Sequence, residues 1–110
     1  MIPERELLEL IGKTEQEQVD YLVESKFIRF LPCTQYKASG VVRMESLADL
    51  ADRLWQEAIE KAEPEISCSM AQISRICGKR AWVDFFAYSA KPIHRIIAAI
   101  IALQRAGVEI

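Results

Sequence analysis

KPIHRIIAAIIALQRAG, residues 91–107, is the stretch on which the fold turns. Pro92 suits the first position of a helix, where its fixed φ helps and its missing N–H costs nothing. Gly107 suits the residue just past a helix end, where a left-handed backbone is needed. Between them Ile93, Ile96, Ile97, Ile100, Ile101 and Leu103 spread over a wide aliphatic arc, and Ala98, Ala99, Ala102 and Ala106 line much of the remainder. The spacing predicts one buried C-terminal helix over 92–106. A helix apolar on nearly every side must be covered by the rest of the chain, so the other segments are read as its cover.

Working outward, residues 4–12 (ERELLELIG) form a short amphipathic helix with an acidic first turn, closed by Gly12. Thr14 with Glu17 makes a capping box, opening a second helix that ends near Ser25. Lys26–Leu31 alternates aromatic and branched residues as a strand would, and Pro32 stops it. Tyr36–Arg43 reads as its hairpin partner across a turn at Pro32–Gln35, with Gly40 marking a bulge. Ser46 and Asp49 cap the best-marked surface helix, whose inner face carries Leu47, Leu50, Ala51, Leu54, Trp55, Ala58 and Ile59, and which Pro64 ends. On its outer face Asp49 with Arg53 and Glu57 with Lys61 stand four apart. Ser69 with Gln72 repeats the capping box before the short helix MAQISRIC and Gly78. Residues 79–90 (KRAWVDFFAYSA) fit either a helix or a strand, and helix is preferred; Val108–Ile110 would add a last strand. The expected fold is a single domain over 1–110 of helix-dominated α+β class, with four to six helices packed on a small antiparallel sheet.

A chain of 110 residues with 51% hydrophobic content can bury a core without disulfides or a structural metal. Its three cysteines, Cys33, Cys68 and Cys77, are widely spaced; they suit a reducing compartment and are expected as buried thiols. The opening MIPERELLEL has no secretory pattern, and the longest apolar run, Ile96–Leu103, is eight residues, against the roughly 20 a bilayer requires. A cytoplasmic protein without membrane contact is the expectation. Formal net charge is only −2, but it is unevenly placed, at −6 over residues 1–65 and +4 over residues 66–110. An anionic partner for the C-terminal half would exploit that asymmetry.

Little here supports enzymology. The single histidine, His94, leaves no pair for a metal, and it could activate a nucleophile only if the fold brought it to Cys68 or Cys77. The carboxylates of 49–60 lie on a solvated helix face, and the four glycines never assemble a phosphate loop, so neither an enzyme nor a cofactor is expected. The positive residues Arg75, Lys79, Arg80, Lys91, His94 and Arg95 cluster instead, with Trp82, Phe85, Phe86 and Tyr88 among them. Such a cluster neutralises phosphates and offers rings to bases, although Trp82, Phe85 and Phe86 also suit core packing.

SMAQISRICGKRAWVDFF, residues 69–86, resembles the first helix, glycine turn and second helix of a helix-turn-helix, which implies a recognition helix after Gly78. It departs from that pattern at Lys79, where an apolar residue is usual, and in the short spacing from Gly78 to Trp82 and Val83. Residues 6–30 look similar, with an acidic second helix that DNA would repel. Residues 92–110 resemble the third helix and first strand of a winged helix, but thirteen residues intervene after the preceding helix where two or three are usual. No family membership follows from these. The expectation is a small non-enzymatic regulatory or binding protein acting on DNA or RNA through Arg75, Lys79, Arg80, Lys91, His94 and Arg95. The alternative is a protein-protein adaptor or inhibitor. A homodimer is also expected, because Ala98, Ala99, Ala102 and Ala106 would let a second helix approach closely.

Overall fold

The computed structural model describes residues 2–32 and 42–109. In chain order these form α1 (Glu4–Glu9), running into a tighter 3-10 turn over Leu10–Gly12, then α2 (Glu15–Glu24) and two strands, β1 (Phe30–Pro32) and β2 (Val42–Met44). There follow α3 (Leu47–Lys61), α4 (Glu63–Ile76), a one-turn α5 (Trp82–Asp84) that widens into a π-type turn over Phe85–Ser89, and α6 (Pro92–Arg105).

α6 is the helix expected over 92–106. Ile93 and every residue from Ile96 to Leu103 are buried, mainly beneath α3 and α4, with α1 against its far end. Its C-terminus closes as the pattern at Gly107 requires. Gly107 has φ +75°, and the N–H groups of Gly107 and Val108 donate to the carbonyls of Gln104 (3.1 Å) and Leu103 (2.9 Å). α2 ends with the same pair of reversed bonds, but with Lys26 in the left-handed position at φ +63°, a conformation that disfavours any side chain.

Helices packed on a small sheet are not what forms. β1 and β2 are three residues each and pair antiparallel only with one another, in the register Phe30↔Met44, Leu31↔Arg43, Pro32↔Val42. The core is helix against helix, and the expected α+β class gives way to a helix-dominated fold. Phe30 and Met44 face each other across the ribbon and both are exposed, so it supplies no apolar platform. Lys26–Arg29 is not strand, and neither are Val108 and Glu109, because the reversed turn at Gly107 directs the chain back onto α6. The expected hairpin turn at 32–35, the bulge at Gly40 and the last residue Ile110 lie largely or wholly outside the described residues.

Two helix boundaries also differ. Pro64 does not end a helix; it stands at the second position of α4, where a missing N–H is harmless. Ser69 is consequently not a cap. It is fully buried inside α4, and its hydroxyl donates to the Glu65 carbonyl one turn back at 2.9 Å. The other two caps form as read. Thr14 and Glu17 complete their box, and Ser46 Oγ accepts from the Asp49 N–H at 3.1 Å.

The ribbon is tied to the helices by one buried charge pair. Arg53 meets Glu45 through Nε at 3.2 Å and Nη2 at 3.0 Å, and the same Nη2 donates to the Phe27 carbonyl at 2.8 Å. Asp49, the expected partner of Arg53, is engaged by Arg43 instead. Burial by itself would raise the Glu45 carboxyl. Hydrogen bonds from Arg53 and from the Arg29 N–H outweigh it and hold the group below its ordinary 4.5. A carboxyl depressed in the folded state stabilises the protein above its unfolded value and ceases to do so as pH falls through the folded one.

Arg53→Ala, which strands Glu45 as a buried charge, is expected to lower unfolding free energy by about 3 kcal/mol at pH 7, measured by urea denaturation. Below pH 4.5 the gap between wild type and variant should narrow, because the wild type then loses the same interaction by protonation. A gap independent of pH would show that the pair does not carry this stability.

Candidate nucleic-acid interface

The basic cluster is set out by the way α4 stops. Gly78, at φ +74°, turns the chain, and the N–H groups of Gly78 and Lys79 donate back to the carbonyls of Arg75 (3.0 Å) and Ser74 (2.8 Å). That reversal leaves Arg75 on the last turn and Lys79 and Arg80 beyond it, all exposed. The connection then pins itself down with its rings. Phe85 and Phe86 are buried and meet edge to face at 5.2 Å, and Phe86 stacks on Trp55 of α3 at 5.8 Å. The wide turn closes with the Ala90 N–H on the Phe85 carbonyl at 2.8 Å. With the phenylalanines turned inward, Tyr88 is left 88% exposed.

α4 and α6 run antiparallel. His94 near the start of α6 meets Cys77 at the end of α4, while Arg105 near the end of α6 reaches Gln72 at 2.9 Å. Arg75, Lys79, Arg80 and Lys91 therefore share one end of the molecule. None of these four forms an ion pair among the described residues, and the only carboxylate between Arg75 and Arg95 in the chain is Asp84.

The other two expected contacts face inward. The Arg95 guanidinium lies 5.7 Å from the centre of the Trp55 ring and donates to the Phe86 carbonyl at 2.6 Å, so it braces the turn. His94 is half-buried and caps its own helix, its Nδ1 accepting the Lys91 N–H at 3.0 Å. Burial first, and the Lys91 charge second, lower its pKa, so the ring is neutral at pH 7. Neither residue is free to hold a phosphate.

The fold does bring His94 to a thiol, with Nε2 3.7 Å from Cys77 Sγ and the Phe85 ring 5.3 Å away. Its chemistry runs against an activated nucleophile. Nδ1 accepts a backbone N–H, which puts the ring hydrogen on Nε2, facing the sulfur, where a base would need a lone pair. Burial raises the Cys77 thiol, more than the charge of Lys79 lowers it. Cys77 is only half-buried and Cys68 is exposed, so neither matches the expectation of a fully buried thiol; Cys33 lies outside the described residues.

The resemblance to a helix-turn-helix is also corrected by this geometry. The helical segment after Gly78 spans only Trp82–Ser89, and it exposes Val83, Asp84, Ala87, Tyr88 and Ser89, an outer face with one carboxylate and no cation. Such a face would not read a DNA groove. Of the four alanines expected to admit a second copy, Ala98, Ala99 and Ala102 are fully buried within the chain and only Ala106 is exposed. Missing from the sequence reading altogether was a cavity on the other side of Lys91, shared with Lys13 and Gln18. No sequence signal links those positions, because three separate helix starts make the cavity.

No family model matches the chain, and no curated protein or solved structure matches it at a significant level. Among the described residues no helix is long and apolar enough to cross a membrane, and no group of three metal-ligating side chains converges.

Iodoacetamide labelling followed by peptide mapping should find Cys77 alkylated at pH 7 more slowly than an unperturbed thiol. Faster labelling would mean that His94 stabilises a thiolate after all.

Proposed function

We propose that this is a small non-enzymatic regulatory protein that binds single-stranded nucleic acid at the end of the molecule formed by the α4 terminus and the α6 start. The observation that carries the reading is four exposed cations without acidic partners among the described residues, Arg75, Lys79, Arg80 and Lys91, beside an almost fully exposed Tyr88. Cations of this kind neutralise phosphates whatever the sequence, and an exposed ring stacks on any unpaired base. A single strand is favoured over a duplex because the segment carrying Tyr88 is too short and too poor in charge to occupy a groove. The adaptor reading has its own observation, since Ile76 and Val83 are exposed in the same region and would suit an apolar partner face.

Fluorescence anisotropy with a labelled single-stranded oligonucleotide and the matching duplex separates these. Binding to the single strand should weaken steeply with salt, with a log–log slope of about −2 to −3 if three or four cations contact phosphates. Lys79→Ala with Arg80→Ala should weaken both probes, and Tyr88→Ala should cost about tenfold on the single strand only. Absent or salt-independent binding would overturn the nucleic-acid reading in favour of the adaptor.

A further inference from the structure

Asp84 is the one carboxylate of the chain between Arg75 and Arg95, and contact with phosphates gives it no role. A negative charge beside Arg75, Lys79, Arg80 and Lys91 opposes the attraction those cations exert on a polyanion. The fold gains little from it in return. Asp84 is exposed, forms no ion pair among the described residues, and gives no side-chain cap to the wide turn that begins after it.

Its position relative to Tyr88 is what gives it a use. The two are four residues apart in one helical segment, and four residues make about one turn whether the helix is of α or π type. Both side chains are exposed, so they leave the same outer face, one turn apart. The inner face fixes where that outer face points. Phe85 and Phe86 are buried, Phe86 stacks on Trp55 at 5.8 Å, and Arg95 ties the Phe86 carbonyl at 2.6 Å. At the two ends the Phe85 N–H donates to the Ala81 carbonyl at 2.9 Å and the Ala90 N–H to the Phe85 carbonyl at 2.8 Å. A ring and a carboxylate are thus presented together from a segment braced on its buried side.

We infer that this surface selects guanine within a single strand, the base stacking on Tyr88 while its Watson–Crick edge donates to the Asp84 carboxylate. The inference rests on the single-strand function proposed above and adds a base preference to it. A carboxylate offers two acceptors and no donor. Guanine alone places two donors side by side on that edge, the ring N–H and the amino group, and so engages both oxygens. Adenine and cytosine place one amino group beside a ring acceptor, which repels the second oxygen. Thymine and uracil hold a single N–H between two carbonyls. Unpaired bases expose this edge, and a duplex hides it.

Fluorescence anisotropy on the full chain tests this with oligothymidylates of about 12 nucleotides, matched to a usual single-strand site. Each carries one central guanine, adenine, cytosine or hypoxanthine, so that guanine tracts cannot self-associate. The guanine probe should bind about tenfold more tightly than the adenine and cytosine probes at the same salt. Hypoxanthine keeps the ring N–H and lacks the amino group, and it should lose most of that advantage. Asp84→Asn, an exposed and nearly isosteric change, turns one acceptor into a donor and should bring the ratio between guanine and adenine probes close to one. Equal salt-dependent binding of all four probes overturns the base preference and leaves the single-strand function standing. Preference for another base, or a guanine preference that survives Asp84→Asn, overturns it equally. If no probe binds at all, the single-strand function fails and the preference fails with it.

Discussion

The complete burial of α6 is the constraint from which the rest of the structure follows. Five isoleucines and a leucine on one helix are worth about 1.5–3 kcal/mol each when removed from water, and no single neighbouring face can cover them. α3 takes one side, α4 returns antiparallel along another, and α1 closes the far end, where Arg105 meets Glu4 at 2.7 Å and Gln104 exchanges hydrogen bonds with the backbone of Ile2. The alanines at 98, 99 and 102 are small enough for these helices to come close. What a sheet would have done in an α+β domain is done by helices, and the β1–β2 ribbon remains an appendage held by the Arg53–Glu45 pair.

Burying a helix so fully leaves its polar ends as the places where chemistry can surface. At the start of α6 the backbone is accommodated by His94, whose Nδ1 accepts the Lys91 N–H and so anchors Lys91. The antiparallel return of α4 delivers Arg75, Lys79 and Arg80 to the same end. Phe85 and Phe86 take the interior positions of the intervening turn, so Tyr88 must face water. One helix start therefore borders both an outward cationic surface and the cavity lined by Lys13 and Gln18. The two differ in kind. The surface offers charge and a ring with little depth, whereas the cavity gathers residues from three helix starts along the apolar side chains of Ile11, Leu47 and Ile93.

Much of the local structure was legible because it depends on neighbours within a few residues. The Thr14–Glu17 box, the Ser46 cap, the Glu57–Lys61 pair and the turns at Gly78 and Gly107 all formed as read. The failures came where two structures share one local pattern. Ser69 with Gln72 has the spelling of a helix start, yet α4 had already begun at Glu63, and a serine inside a helix simply bonds one turn back. The alternation of Lys26–Leu31 has the spelling of a strand, but without a wide partner sheet only its last residues pair. Of the six basic residues expected to contact a partner, the sequence could not separate the four that reach water from Arg95 and His94, whose engagement by Trp55, Phe86, Phe85 and the Lys91 N–H is decided by packing.

Residue pattern alone was enough to establish that the chain ends in a helix too apolar to face water, where that helix starts and stops, and that positive charge collects beside it. Caps, turns and hydrophobic periodicity are interactions over three or four residues, and they survive in any tertiary setting that tolerates the helix. The identity of the covering layer, the partner of Arg53, the meeting of Cys77 with His94 and the convergence of three helix starts around Gln18 were settled only by the tertiary structure. Each joins segments distant in the chain, and their apposition is set by how the helices fill the volume around α6, a property of the whole packed assembly that no short stretch of sequence records.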